Sequence, residues 1–109
     1  MTFQEIASML NSIGLPYTYN SFPNNIAPAP PYIVFTYPNR DDFGADNINY
    51  SKISALNIEL YTASKNFELE NTVEAVLEQN GFFYEKNEAY IRNENMYQVA
   101  YSMEFVIKE

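Results

Sequence analysis

The segment from Tyr97 to Ile107 alternates apolar and mostly polar residues without a break. Every second position in it is aromatic or aliphatic. Successive side chains of a strand point to opposite faces of a sheet, so this period of two predicts a long strand with one face on the core. Tyr97 and Tyr101 lie on that apolar face and are predicted to be core residues. A chain that contains such a strand must build its fold around a sheet.

Two segments carry the signals of helices. Thr2 and Glu5 form a capping box ahead of apolar residues at helical spacing, which predicts a helix over 3–13. A second apolar stripe at helical spacing precedes Gly81, which can end a helix, and predicts a helix over about 66–80.

Aromatic and β-branched runs predict the remaining strands, at 17–19, 32–37, 50–61 and 82–91. The resulting order is α-β-β-β-α-β-β. Because a short turn at Asn93–Asn95 joins the last two strands, antiparallel pairing is favoured. We expect an α+β fold with a mainly antiparallel sheet of four to five strands and two helices packed on one face. The length of the chain is typical of a single domain over 1–109.

A polar, acidic stretch over 38–49 separates two of these strands. We interpret it as an irregular loop, which a compact domain seldom carries unless the loop is used or disordered. Asp41, Asp42 and Asp46, with Asn47 and Asn49, offer oxygen ligands of the kind that calcium prefers, but their spacing does not match an EF-hand. A solvated turn around Gly44 is the favoured interpretation.

The chain has no histidine and no cysteine. Histidine-dependent catalysis, thiolate nucleophiles and zinc-thiolate sites are therefore excluded. The sequence has three glycines and no phosphate-binding glycine loop. Paired carboxylates remain available in principle, but no spacing places two of them in one cleft. We expect no enzyme activity, no cofactor and no metal.

Six basic residues face 14 acidic ones, for a net charge of −8. The basic residues are scattered, so specific nucleic-acid binding is not expected. An acidic surface is compatible with binding to a basic protein, with lining a passage that must not hold DNA, or with solubility alone. No apolar run is long enough to span a bilayer, and no signal peptide is visible, which favours the cytoplasm.

Three glutamates, Glu70, Glu74 and Glu78, are spaced four residues apart on the second predicted helix. Like charges at this spacing destabilise a helix slightly, so helix stability does not explain them. A solvated face is the default interpretation, and contact with a basic partner is the alternative.

Several segments together resemble a known family. They are Pro30–Phe35, Asp42–Asn47, Ile58–Thr62 and Phe83–Lys86, followed by the alternating strand. The pattern is similar to that of small proteins from the head–tail module of siphophages and prophages of Gram-positive bacteria. These are described as tail-completion, tail-terminator or head–tail connector proteins, and the resemblance covers essentially the whole chain.

The resemblance implies a structural role in virion assembly, in the host cytoplasm and then in the virion. It implies a ring of copies, possibly a hexamer, that contacts tail-tube or neck proteins and lets DNA pass through its centre. It implies no membrane partner. The residues expected at protein interfaces are Arg40, Asp41, Asp42, Phe43, Asp46, Asn47, Glu70, Glu74 and Glu78. The alternative is an acidic monomeric module that binds or inhibits by covering a basic protein surface.

Overall fold

The computed structural model describes residues 1–45 and 48–108, and for residues 44, 45 and 48–50 it describes the backbone alone. Helix α1 spans Phe3–Ile13, as predicted. Its capping box is present in full, since the Thr2 hydroxyl accepts from the Glu5 amide while the Glu5 carboxylate accepts from the Thr2 amide. Gly14, at φ 88°, ends the helix in the left-handed region, which glycine adopts without steric cost.

Helix α2 spans Phe67–Gln79. The Asn66 side chain caps it by accepting a hydrogen bond from the Leu69 amide at 3.0 Å. The chain leaves the helix through Gly81, which has φ 78°. Both ends therefore lie within one residue of the sequence prediction.

Five strands form the main sheet in the order β1-β2-β5-β7-β6. Their bounds are Tyr17–Tyr19 for β1, Tyr32–Thr36 for β2, Ile53–Thr62 for β5, Glu85–Ile91 for β6 and Met96–Val106 for β7. All neighbours are antiparallel except β1 and β2, which are parallel. A parallel pair needs a long connection, and the proline-rich segment between β1 and β2 supplies about a dozen residues. The predicted α+β class and element order are confirmed.

Both helices pack on one face of this sheet. Ile6 and Leu10 of α1 and Val73 and Leu77 of α2 join one buried cluster with the alternating residues of β5 and β7, including Tyr101. Burying apolar area at about 25 cal/mol per Å² is the main source of stability in such a core. Tyr101 is a core residue, as predicted.

The prediction that Tyr97 belongs to this core is wrong. Its ring is half-buried and lies outside the buried cluster, where it packs against Tyr90 with a centroid separation of 4.9 Å. Tyr97 pairs with Thr62 at the end of β5. At that margin of the sheet, alternation still points the ring to the helix face, but the ring does not join the core cluster there.

The opposite face, which we call the open face, has no α-helix on it in the part of the chain that the structure describes. The β1–β2 connection covers only one margin, where Phe22 packs with Tyr32, Val34 and Met96. The rest of the open face is lined by half-buried or exposed side chains of β5, β6 and β7. One face of the sheet is therefore left without an internal partner.

The prediction of an irregular loop over 38–49 is confirmed for 38–42, where Arg40 forms only an isolated bridge, and is wrong for 43–45, 48 and 49. Strands β3, Phe43–Ala45, and β4, Ile48–Ser51, pair as a two-stranded antiparallel sheet. Only Lys52 separates β4 from β5, so the predicted strand over 50–61 is also divided. Apolar periodicity fails to reveal these strands because three and four residues are too few to show an alternation.

Candidate protein interface

The hairpin formed by β3 and β4 grows directly out of the main sheet. Arg40 is paired with Ser54, and Phe43 with Ser51, in a single antiparallel register. Backbone hydrogen bonds between Asp41 N and Ile53 O at 2.8 Å, and between Ala55 N and Asn39 O at 2.9 Å, join the base of the hairpin to β5. The hairpin is therefore an ordered extension of the β2–β5 pair.

Arg40 and Asp42 stabilise the base of this hairpin. Arg40 donates from Nε and Nη2 to the two carboxylate oxygens of Asp42, at 2.9 and 2.8 Å. Asp42 Oδ1 also accepts from the Ile53 amide at 3.2 Å. The Arg40 guanidinium is the main reason that the pKa of Asp42 is lowered. Such a bidentate pair fixes the relative orientation of the two side chains. The structure therefore gives Arg40 and Asp42 a local structural role, and their interface role stays a prediction.

Phe43 is the apolar member of the predicted interface set, and its ring is 66% exposed. Asp41 is also exposed. Asp46 and Asn47, together with the calcium interpretation that used them, lie outside the described residues. Within the ranges that are described, no group of three or more acidic side chains is placed to hold a metal ion. The interface role of this set stays a prediction.

The expectation of a solvated glutamate stripe is wrong for Glu70. Its side chain is buried, with the residue 1% exposed, and its carboxylate oxygens lie 2.6 Å from Lys65 Nζ and 2.9 Å from Lys86 Nζ. These contacts are ion pairs whose angles fall short of well-aligned hydrogen bonds. Burial alone would raise the pKa of Glu70, but the two ammonium groups outweigh it and the pKa is lowered.

Glu74 belongs to the same network. It lies 2.8 Å from Lys86 Nζ and accepts a hydrogen bond from the Tyr101 hydroxyl at 2.7 Å. Lys65 also pairs with Glu88 of β6. Burial favours a raised pKa at Glu74, yet Lys86 and Tyr101 lower it. We call the set Lys65, Glu70, Glu74, Lys86, Glu88 and Tyr101 the ion cluster, and it joins α2 to the sheet.

Glu78 is the third glutamate of the stripe and the one that remains exposed. Its carboxylate accepts from the Tyr84 hydroxyl at 2.9 Å. Burial and this carboxylate together raise the pKa of Tyr84 to about 12. Of the three glutamates, Glu70 is buried and cannot contact a partner, whereas Glu78 is exposed and can.

The open face carries residues that sequence reasoning missed. Phe83, Glu85 and Glu104 line a shallow groove of about 370 Å³, and the rest of its wall is formed by Asn39, Ala55, Ser102 and Met103. The Phe83 ring is 91% exposed, whereas its neighbour Phe82 is buried. The sequence predicts a strand over 82–91 that includes both rings, but β6 begins only at Glu85. The adjacent phenylalanines gave a signal, since in an extended segment only one of them can face the core.

A polar network orders the middle of the open face. Ser102 donates to Asn57 at 3.1 Å, Asn57 to Glu59 at 3.2 Å, and Tyr61 to Glu59 at 2.9 Å. Gln98 donates to the Tyr61 hydroxyl at 2.8 Å. Burial is the main cause that raises the pKa of Tyr61 to about 12. These side chains are held in place before any partner arrives.

The comparisons with known proteins bear on the fold. No family model and no curated protein matches the chain. A solved structure, the virion of native gene transfer agent (GTA) particle, contains a chain that matches with a TM-score of 0.57 and 11% sequence identity. The match covers 98% of this chain and 89% of that chain. At this identity the likeness establishes a shared fold.

No helix in the described part of the chain is both long and apolar enough to cross a membrane.

Proposed function

We propose that this chain is a non-enzymatic structural protein of a phage or prophage virion, which completes the tail or joins head and tail as a ring subunit. The observation that carries the proposal is the fold shared with a chain of the gene transfer agent virion over nearly the full length of both chains. The resemblance of Pro30–Phe35 and Ile58–Thr62 to head–tail module proteins points the same way.

The geometry of the chain suits subunit assembly. A ring is built from heterologous contacts, in which one patch meets a different patch on the next copy. The hairpin with the exposed Phe43 ring supplies one candidate patch, directed at a neighbouring copy or at the tail tube. An excess of eight negative charges would let DNA pass through such a ring without being held.

The decisive experiment is negative-stain imaging of particles produced without this protein. Overlong tails would assign a terminator role, and separate heads beside tails of normal length would assign a joining role. Particles of normal appearance would overturn the proposal and favour the acidic binding module. Complementation with the wild-type chain controls for effects on neighbouring genes.

The hairpin can be tested separately. In one variant, residues 43–51 are replaced by an Asn-Gly turn, a sequence suited to two-residue hairpins. Because Asp42 and Ile53 are kept, we expect a folded chain that no longer completes particles. Phe43→Ser should weaken completion as well, whereas Phe67→Ser, at a ring of similar exposure (68%) on α2, should not. Normal assembly with the shortened hairpin would exclude the hairpin as the contact.

A further inference from the structure

The open face has carboxylates without a cation. Glu59, Glu85 and Glu104 lie on it by strand register, and none of them forms an ion pair within residues 1–45 and 48–108. The register places no lysine or arginine on the open side of β5, β6 or β7. This arrangement favours an occupant that brings positive charge.

The open face also has the order of an interface and more than half of its size. The uncovered strands β5, β7 and β6 have 10, 11 and 7 residues, and at about 3.4 Å per residue and 4.8 Å between strands they present a surface on the order of 450 Å². One side of a standard protein interface buries about 800 Å². The network through Asn57, Glu59 and Tyr61 reduces the side-chain entropy lost on binding. Phe83 supplies the exposed aromatic ring typical of an interface centre.

Two open faces cannot pack on each other favourably. A symmetric contact would bring the carboxylates of Glu59, Glu85 and Glu104 of both copies together, and like charges across an interface are strongly unfavourable. The occupant must therefore present a different surface.

The same chain carries a surface that fits. A two-stranded hairpin is only marginally stable in water unless it packs against something, and Phe43 leaves this one with an exposed ring. Lys52, at the junction of the hairpin and β5, is exposed and forms no ion pair within the described ranges. The hairpin thus offers an exposed ring that can pack against Phe83 and, in Lys52, a cation of the kind that the open side of β5, β6 and β7 lacks. Of its other described charges, Arg40 and Asp42 pair with each other, and Asp41 adds one negative charge.

We propose that the groove around Phe83 receives the hairpin of a second copy, with Phe43 of that copy against Phe83 and its Lys52 facing Glu85 and Glu104. The contact is heterologous, so it repeats from copy to copy and closes when the rotation permits. This inference rests on the proposed ring and names the two surfaces that build it.

Cysteine pairing tests the contact directly, because the chain has no cysteine of its own. A Phe43→Cys chain and a Phe83→Cys chain are mixed in solution, co-assembled into particles, and oxidised mildly. We expect a disulfide-linked dimer in several-fold excess over that from Phe43→Cys with Phe67→Cys, the matched control at a similarly exposed ring on α2. If the test pair and the control pair gave equal dimer yields, both in solution and in particles, the inference would be overturned. Disulfides between two Phe83→Cys chains, or between Phe83→Cys and another virion protein, would overturn it as well.

A charge exchange gives a second measurement on the same contact. Lys52→Glu should reduce the yield of the Phe43→Cys and Phe83→Cys dimer, and Glu85→Lys with Glu104→Lys in the partner chain should restore it. If the dimer yield is not restored although the variant chains unfold at the wild-type temperature, the proposed pairing is wrong. If particles without the protein are defective while no cysteine pair forms, only this inference fails. If those particles are normal, the proposed function fails.

Discussion

Two groups of glutamates in this protein have opposite surroundings. In the ion cluster, Glu70 and Glu74 are enclosed between α2 and β6 and are neutralised by Lys65 and Lys86. On the open face, Glu59, Glu85 and Glu104 have no cation in the part of the chain that the structure describes. The first group is part of the fold, whereas the second is available for assembly. Acidic residues in a strongly acidic chain therefore need not share one role.

The largest expected effect comes from removing both lysines of the ion cluster. Lys65→Met with Lys86→Met leaves the Glu70 carboxylate buried without a counter-charge, which should cost about 3–5 kcal/mol in the free energy of unfolding. Urea denaturation at neutral pH measures the loss. Adding Glu70→Met should recover most of it, because an apolar replacement of the whole group avoids burying a charge. A double variant as stable as wild type would show that Glu70 is hydrated in solution.

Smaller losses of stability are expected when either of two tyrosine hydroxyls that donate to a glutamate is removed, and the two losses should differ. Tyr101→Phe removes the hydroxyl that reaches Glu74 from the core, and we expect a loss of about 1.5–3 kcal/mol, as for hydrogen bonds to charged groups. Tyr61→Phe removes the hydroxyl that reaches Glu59 on the open face, where water can replace it, and should cost about 1 kcal/mol or less. Equal losses by thermal or urea unfolding would contradict the contrast between the two regions.

The free energy of unfolding should fall at acid pH because the ion cluster loses its carboxylate charges there. The folded pKa values of Glu70 and Glu74 are lowered below the unfolded value of about 4.3. Their contribution is therefore complete above that pH and is lost as the pH falls through the folded pKa values. In the double lysine variant, burial should raise the pKa of Glu70 instead, so its cost grows as the pH rises above about 4.3. Unfolding curves between acid and neutral pH distinguish the two profiles.

The smallest effect on folding is expected on the open face. Glu85→Gln with Glu104→Gln should change the free energy of unfolding by no more than about 0.5 kcal/mol, because both side chains are exposed and lack an ion pair in the described ranges. The same variant should weaken the association of copies in the cysteine-pairing assay. A large loss of stability without any loss of association would reverse the roles assigned to the two groups.

Local patterns in the sequence were sufficient for the elements of the fold. The Thr2–Glu5 capping box, the apolar period of α1 and the alternation of β7 each depend on neighbours a few residues away, and the structure confirms all three. The candidate interface could be predicted only as a region, since strands of three and four residues are too short to show an alternating pattern.

The sequence by itself determined the helices, the strands of the sheet and the absence of histidine and cysteine chemistry. Only the tertiary structure decided which charges are internal. Lys65 and Lys86 are separated along the chain by the whole of α2, and they meet Glu70 because that helix packs beside β6. Phe83, Glu85 and Glu104 likewise form one groove only because β6 pairs with β7. Periodicity reports the face of an element, whereas ion pairs and grooves depend on which elements become neighbours.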